Sequence, residues 1–135
     1  MTTEPIPVVA AIIAHNDRIL ICQRRAGDTF GLKWEFPGGK VHAGETLEAA
    51  LMRELREELD VEAVIGPLIE EKEFAYSQTG RTVRLSFFRA SIPPHAELKN
   101  LAFEQFLWAT PPELPRYDFL PADRELVERI ARGEL

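Results

Sequence analysis

The sequence predicts a mixed α/β (α+β) fold, an α/β/α sandwich in which helices cover both faces of a mixed central sheet. Apolar runs bounded by turn residues suggest several strands, and one segment rich in strong helix formers, 46–59, interrupts them. An amphipathic segment with Leu126, Val127 and Ile130 on one side closes the chain. The order strands, helix, strands, helix is typical of a sheet covered on both sides.

Strands are predicted where apolar and β-branched residues run or alternate between turn residues: 7–14, 18–25, 62–77, 81–91 and 103–109. The intervening polar segments are predicted as turns or loops: 15–17, 26–33, 78–80 and 91–100.

Three further segments complete the prediction. Residues 34–40 form a short extended piece that ends in a turn, because Pro37 and the glycines that follow disfavour regular structure. The proline at position 111 suits a helix start. A C-terminal helix is predicted over 121–132.

Composition sets the class of protein. The length of 135 residues predicts one domain over 1–135, and 45% hydrophobic with 28% charged residues is typical of a globular protein. A net charge of −6 argues against broad binding to polymeric nucleic acid or to an anionic membrane. Cys22 is the only cysteine, which excludes an internal disulfide.

No targeting signal is evident. The longest apolar run, Val8 to Ala14, is too short to span a bilayer, and the opening segment "MTTEPIP" lacks the pattern of a signal peptide. We therefore expect a cytoplasmic protein, as a monomer or a homodimer.

The predicted first helix carries a cluster of carboxylates. Glu54, Glu57 and Glu58 fall within one sector of its surface, beside a leucine stripe that can bury against the sheet. Like charges at this spacing cost a few tenths of a kcal/mol per pair, roughly, so the cluster needs an explanation. One interpretation is a solvated acidic face. The other is a site for a hard divalent cation such as Mg²⁺, which prefers oxygen ligands.

Residues before the helix favour the second interpretation. Gly38 and Gly39 can let the backbone approach a ligand and expose a carbonyl. Glu45 begins the helix, where its carboxylate also favours the positive end of the helix dipole.

These residues resemble a known motif, the Nudix box of nucleoside diphosphate-linked hydrolases. The matching positions are Gly39, then Glu45 after five intervening residues, the run Arg53–Glu58 after seven more, and Val61. Asp60 departs from the pattern, which has glycine there to end the helix in a left-handed conformation. Aspartate tolerates that conformation better than most residues do, so the metal ligands are not affected.

The resemblance implies a Nudix-type sandwich and a set of roles. Glu54, Glu57 and Glu58 would hold Mg²⁺ or Mn²⁺, helped by the Gly38 carbonyl. Arg53 would orient the glutamates, and Glu45 would be mainly architectural. The implied reaction is attack of water on a phosphorus of a nucleoside polyphosphate, with the metal neutralising charge and activating water.

The resemblance extends to the MutT branch, whose members convert nucleoside triphosphates to monophosphate and pyrophosphate. The stretches that carry it are "WEFPGGK", the pair Arg24-Arg25, "VRLSFFRA", the strand with Trp108, and "FLPAD". The best-known MutT target is 8-oxo-dGTP, and a sister branch prefers cytidine triphosphates. A nucleotide-sensing module without catalysis is the alternative of another class.

Substrate contacts follow from this resemblance. Arg25 would contact the nucleotide and Lys40 a phosphate, unless both are ordinary solvated charges. The segment Glu35, Phe36, Pro37 and Gly38 would line the nucleotide pocket, with Phe36 packing on the base or serving simply as core.

Asp123 stands where the 8-oxoguanine pattern has asparagine. An ionised aspartate only accepts hydrogen bonds, which suits an exocyclic amino group such as cytosine N4 or guanine N2. The cytidine branch carries "PAD" at this place, as this chain does, and this resemblance favours that branch. The alternative is that Asp123 caps the last helix.

The general base stays open. The family often supplies a glutamate where this chain has Ala102, so Glu104, Glu97 or a box glutamate such as Glu57 remain as candidates.

Overall fold

The structure is a computed structural model that describes residues 4–135. Residues 1–3, the start of the segment "MTTEPIP" that lacks the pattern of a signal peptide, lie outside this range. Its strands are β1 Ile6–His15, β2 Arg18–Gln23, β3 Trp34–Glu35, β4 Gly38–Lys40, β5 Val64–Tyr76, β6 Arg81–Ser91 and β7 Gln105–Ala109. Its α-helices are α1 Leu47–Leu59 and α2 Arg124–Ala131, with short 3₁₀ helices at Pro111–Arg116 and Pro121–Asp123. No helix in residues 4–135 is long and apolar enough to cross a membrane.

The sheet is mixed, as predicted. Its strands run in the order β3-β2-β1-β6-β5, with β4 paired to β1 and β7 to β2. Strands β1 and β6 are parallel, whereas the other pairs are antiparallel. Central β1 therefore lies between β4 and β6, which brings the glycines of β4 next to the middle of the sheet.

The alternation of side chains along β1 divides the core into two layers. Val9, Ala11 and Ile13 face α1 and pack with its buried leucines, Leu51, Leu55 and Leu59. Ala10 and Ile12 face the other way, toward the buried residues of α2, namely Leu126, Val127 and Ile130. The predicted sandwich with a helix on each face is confirmed.

Both ends of α1 follow from local chemistry. The Thr46 hydroxyl accepts a hydrogen bond from the Ala49 N–H at 3.1 Å and caps the first turn. At the other end Asp60 adopts φ 53° and ψ 46°, and its N–H donates to the Arg56 carbonyl. The left-handed helix end expected of the family's glycine is thus present with aspartate in its place.

One prediction about local structure was wrong. Residues 38–40 are not an irregular turn but strand β4, with Gly38 opposite Ala10 in β1. The two backbones approach so closely that a Cβ on Gly38 would lie 1.9 Å from the Val9 carbonyl oxygen. Glycine, taken in the sequence as a turn signal, here permits close strand pairing.

Two helices were predicted at the correct positions, but one of them, and the first turn of the other, are 3₁₀ rather than α-helical. The segment opening at Pro111 is a 3₁₀ helix that contains Pro115. The predicted C-terminal helix starts as a 3₁₀ turn, Pro121–Asp123, and becomes α-helical only at Arg124. Short 3₁₀ turns are common at such helix starts.

Candidate active site

Arg53 is the centre of a hydrogen-bond network between α1 and the segment before it. Its Nε and Nη2 donate to the two carboxylate oxygens of Glu45 at 2.7 and 3.0 Å, a bidentate pair. Nη2 also donates to the Lys40 carbonyl at 3.0 Å, and the His42 N–H donates to Glu45 at 2.8 Å. These bonds hold the pKa of Glu45 down at about 2, with the Arg53 side-chain bond as the largest cause.

The remaining donor of Arg53 reaches the predicted metal ligands. Its Nη1 donates to Glu54 at 3.0 Å and to Glu57 at 3.3 Å. Arg53 therefore contacts two of the three glutamates that the resemblance assigns to the metal. Glu57 is the most exposed of the set, with 57% of its side chain accessible, against 14% for Glu54.

Two carboxylates are packed against the glycines of β4. The Gly38 N–H donates to the Glu58 Oε1 at 3.1 Å. A Cβ on Gly39 would lie 2.4 Å from the Glu54 Cδ, so only glycine leaves room for that carboxylate. Burial raises the pKa of Glu58 well above its usual value, and the Glu35 and Glu54 carboxylates add to the rise. Burial also raises the pKa of Glu54, against the lowering effect of Arg53.

These glutamates do not yet form a coordination sphere. Within residues 4–135 no three Asp, Glu, His or Cys side chains lie together in a metal-binding arrangement. Arg53 engages Glu54 and Glu57, and Glu58 is turned to the Gly38 N–H rather than to a shared centre. The donor chemistry nevertheless fits a hard divalent cation, because Glu54, Glu57 and Glu58 lie close together on α1 and such cations prefer carboxylate oxygens.

A cavity of about 570 Å³ opens beside this cluster on the α2 face of the sheet. Its charged lining residues are Arg24, Glu35, Lys40, Glu58, Arg81 and Asp123. Its apolar lining includes Val8, Phe30, Phe36, Tyr76, Val83 and Leu85. The volume lies within the range of small-molecule sites, about 300–1,000 Å³.

The structure brings Arg24, not Arg25, to this cavity. Arg25 is exposed and does not line it. The Arg24 Nη1 pairs with the Glu35 carboxylate at 3.0 Å, and its Nε donates to the Thr29 carbonyl at 2.7 Å. Adjacent residues of a strand point to opposite faces, and the sequence alone did not say which arginine faces inward.

Asp123 forms a buried part of the wall, 5% exposed. Its side chain makes no capping hydrogen bond to α2, so the structure does not support the alternative role as a side-chain helix cap. Burial, followed by the Glu35 carboxylate, raises the pKa of Asp123 to about 8, while Lys72 and the Phe36 backbone oppose the rise. This raised pKa favours the protonated carboxyl at neutral pH, whereas the interpretation of the sequence assumed an ionised one.

Phe36 combines both predicted roles. It is 3% exposed and packs against Phe87 and Phe119, with ring centroids 6.3 and 5.3 Å away, yet it also lines the cavity. Pro37 is fully buried and does not line the cavity, and its carbonyl accepts from the Ala11 N–H at 2.8 Å.

The remaining predicted residues divide in the same way. Lys40 lines the cavity and is exposed. Glu104 is exposed and lies outside the cavity lining; its backbone N–H donates to the Gln23 carbonyl. Glu97, the other loop candidate for the general base, is likewise exposed and outside the lining.

Sequence reasoning missed two aromatic residues of the wall. The rings of Phe30 and Tyr76 lie 5.0 Å apart, and both line the cavity. Phe30 adopts a positive φ of 57° in its loop, which turns the chain toward β5. The alternation of Phe74 and Tyr76 along β5 was a usable signal for Tyr76, whereas nothing in the loop sequence indicated Phe30.

Comparison with known proteins agrees with this geometry. A model of the NUDIX domain matches residues 4–130. The chain is 41% identical over 125 residues to a CTP pyrophosphohydrolase from Escherichia coli (strain K12), with 91% of this chain and 89% of the relative covered. It is 36% identical over 132 residues to an 8-oxo-dGTP diphosphatase from Haemophilus influenzae, covering 96% and 94%. The crystal structure of a MutT protein from Methanosarcina mazei superposes with a TM-score of 0.84, at 26% identity and 99% coverage of both chains.

The chain therefore belongs to the Nudix family. It is a hydrolase of the MutT-like type, and the acidic helix beside the cavity is the segment that resembles the Nudix box. Nudix hydrolases generally use divalent metal ions.

Proposed function

We propose that this hydrolase is a magnesium-dependent nucleoside triphosphate pyrophosphohydrolase that acts on oxidised or modified nucleotides such as 8-oxo-dGTP. The observation that carries the proposal is the cavity itself. Its lining contains Glu58, Gly38 and Gly39, here called the acidic end, and the buried pair Phe36 and Asp123, here called the buried end. A triphosphate placed along it would bring its phosphates to the acidic end and its base to the buried end.

The acidic end explains how a chain with net charge −6 binds an anionic substrate. Glu54, Glu57 and Glu58 would hold Mg²⁺ or Mn²⁺, with the Gly38 carbonyl as a further oxygen donor. When bound, the metal supplies positive charge for the phosphates and lowers the pKa of water. Lys40, exposed at the rim, adds a positive group that can reach a phosphate.

Residues of this chain have different roles at the acidic end of the cavity. Arg53 is a positioning residue, because it holds Glu54 and Glu57 while its other donors are fixed by Glu45. Glu57 is exposed enough to meet a water molecule and is our candidate for the general base. Glu104 is the less favoured candidate, since it lies outside the cavity lining.

The buried end favours a planar base. Phe36, Phe30 and Tyr76 offer apolar and aromatic surface, and Asp123 offers the polar group that reads the base edge. We expect Arg24, rather than Arg25, to contact the nucleotide, because Arg24 lines the cavity.

Cytidine triphosphates are the second candidate substrates, and Asp123 is the residue that favours them. A protonated aspartate can donate to cytosine N3 and accept from its N4 amino group. The same form can also imitate the asparagine of the 8-oxoguanine pattern, so both substrate types remain chemically compatible with this wall.

We further propose that residues 1–135 act as one domain in the cytoplasm. The family match over residues 4–130 supports a single functional unit. Sedimentation of the purified protein distinguishes a monomer from a homodimer.

The proposal is tested with a panel of 8-oxo-dGTP, dGTP, CTP and 5-methyl-dCTP in the presence of Mg²⁺. The expected products are the nucleoside monophosphate and pyrophosphate, and the ranking of kcat/KM identifies the preferred base. Nucleotide binding without release of pyrophosphate from any substrate would instead indicate a nucleotide-sensing module. Release of orthophosphate would show that a different phosphoanhydride bond is cleaved.

A further inference from the structure

Lys72 lies on the sheet face that forms the floor of the cavity. Lys40, Val8, Leu85 and Lys72 are in register across β4, β1, β6 and β5. Residues in register on neighbouring strands point to the same face of a sheet. The first three line the cavity, and Lys72 continues their row one strand further out without lining the cavity itself.

The charge of Lys72 has no ion-pair partner among the salt bridges of residues 4–135. Two residues earlier on the same face of β5, Glu70 pairs with Arg129 of α2 at 2.8 Å. Lys72 is half-buried on this face of β5, and helix α2, which Glu70 contacts through Arg129, begins directly after the 3₁₀ helix Pro121–Asp123. That 3₁₀ helix contributes Asp123 to the cavity wall, where burial raises the pKa of the carboxyl and the charge of Lys72 acts against that rise.

Other charged and titratable groups also face Asp123. Glu35 of β3 opposes its ionisation. Burial, followed by the Asp123 carboxylate, raises the pKa of the Tyr76 phenol on β5 to about 12. Further around the cavity are Arg24 just after β2, Lys40 of β4, Glu58 of α1 and Arg81 of β6. Arg24 is engaged by Glu35, which leaves Lys72 as the principal cation acting on Asp123.

The protonation of Asp123 decides which base edge it can bind. A protonated carboxyl both donates and accepts, whereas an ionised carboxylate only accepts. Cytosine presents an acceptor, N3, next to its N4 amino donor, so it needs the protonated form for two bonds. The Watson–Crick edge of guanine presents two donors, N1–H and the N2 amino group, and suits the ionised form.

We infer that Lys72 is a specificity-determining residue that acts through Asp123: its charge sets the point at which this carboxyl gives up its proton, and so which base edges the cavity binds. The inference rests on the proposed pyrophosphohydrolase function and names a residue that determines its choice of base. Since Lys72 does not line the cavity, Asp123 is its route to the base.

The test is the ratio of kcat/KM for CTP to that for dGTP, followed on both sides of pH 8, the value near which Asp123 titrates. The ratio cancels the titrations of the metal site and the general base, which both substrates share. In the wild-type protein the ratio falls as pH rises through this value. In Lys72→Met the fall moves to higher pH by about one unit or more, the usual effect of removing a nearby opposite charge.

Matched variants separate this route from a general effect. Lys72→Arg keeps the charge, so the pH at which the ratio falls does not change. Lys99→Met removes a surface lysine that pairs with Asp60 at 3.3 Å, and it also leaves that pH unchanged. In Asp123→Asn the ratio is flat with pH, and adding Lys72→Met then changes nothing. A shift that persists in the Asp123→Asn background, or no shift in Lys72→Met, overturns the inference.

A measurement without substrate keeps the inference separate from the proposed function. The ¹³C chemical shift of the Asp123 carboxyl reports its titration directly, and Lys72→Met moves that titration to higher pH. If Lys72→Met folds poorly, Lys72→Gln removes the same charge and retains a polar side chain. An unmoved titration overturns the inference even in an active enzyme, whereas a moved titration in a protein that releases no pyrophosphate refutes only the proposed function.

Discussion

Gly39 and Glu54 are in such close contact that a Cβ on the glycine would lie 2.4 Å from the carboxyl carbon of the glutamate. Strand β4 and helix α1 are joined at this point, and no other residue type leaves the carboxylate where it is. Gly39 of the box therefore acts by fixing the position of Glu54, the eighth residue of helix α1.

Gly39→Ala tests that contact. The methyl group must displace the Glu54 carboxylate, which is the end of a flexible side chain, so we expect a small loss of stability and a larger loss of activity. We expect kcat/KM to fall by about 100-fold, the effect of misplacing a catalytic group by about 1 Å. Gly27→Ala is the matched control, because a Cβ there meets no atom within 4 Å. Unchanged turnover in Gly39→Ala would show that the Glu54 position does not matter.

Glu57→Gln tests the proposed general base. We expect kcat to fall by about 100-fold or more, because glutamine cannot take a proton from water. The melting temperature should hardly change, since more than half of the Glu57 side chain is exposed. Glu48→Gln, an exposed change on the same helix, should leave kcat as it is. If Glu57→Gln retains full turnover, the base lies elsewhere and Glu104→Gln is the next variant to assay.

Mg²⁺ should raise the melting temperature of the wild-type protein, because a ligand that binds only the folded state stabilises it. Glu58→Gln keeps the bond from the Gly38 N–H, since an amide oxygen also accepts, but loses a metal ligand. We therefore expect the Mg²⁺-dependent rise to be largely lost in this variant. Differential scanning fluorimetry over a Mg²⁺ series measures the melting temperatures of the wild type and of Glu58→Gln. Glu62→Gln, an exposed change just beyond the helix, is the control.

Stability should depend on pH through Glu45. Its pKa is about 2 in the folded protein against an ordinary 4.5, so its contribution is complete above pH 4.5 and is lost as pH falls toward 2. The difference in melting temperature between the wild type and Glu45→Gln should therefore be largest above pH 4.5 and shrink below it. A difference that stayed constant through this window would show that the Arg53 pair does not stabilise the fold.

Asp60 separates backbone from side-chain effects at the end of α1. Asp60→Gly and Asp60→Ala both lose the exposed pair with Lys99, but only glycine adopts the left-handed conformation without strain. We expect the alanine variant to be less stable than the glycine variant by about 1 kcal/mol. Urea denaturation of the pair measures the difference, and equal stabilities would mean that the helix end rearranges.

Local patterns predicted much of the fold. The spacing of leucines placed α1 within one residue of its observed start, and alternating residues gave β6 its observed limits, because both signals depend on neighbours in the chain. Strand β4 was missed, since glycines carry no side-chain pattern and pair here only because β1 lies beside them.

The candidate site was predicted in the same uneven way. Residues of the box were found together, since one helix and the turn before it hold Arg53 and its glutamates within reach of each other. Tyr76 and Lys72 come from β5, and Arg24 directly follows β2, so the faces they present depend on sheet register. The titration of Asp123 depends on burial by segments distant in the chain.

The sequence by itself determined the class of protein and the acidic helix, because residue spacing along one helix decides which side chains share a face. Only the tertiary structure decided which arginine enters the cavity, that Asp123 is buried without a capping bond, and that Lys72 shares the sheet face that forms the cavity floor. The physical reason is that burial and charge–charge distances are properties of packed elements, which a pattern of neighbours along the chain does not contain.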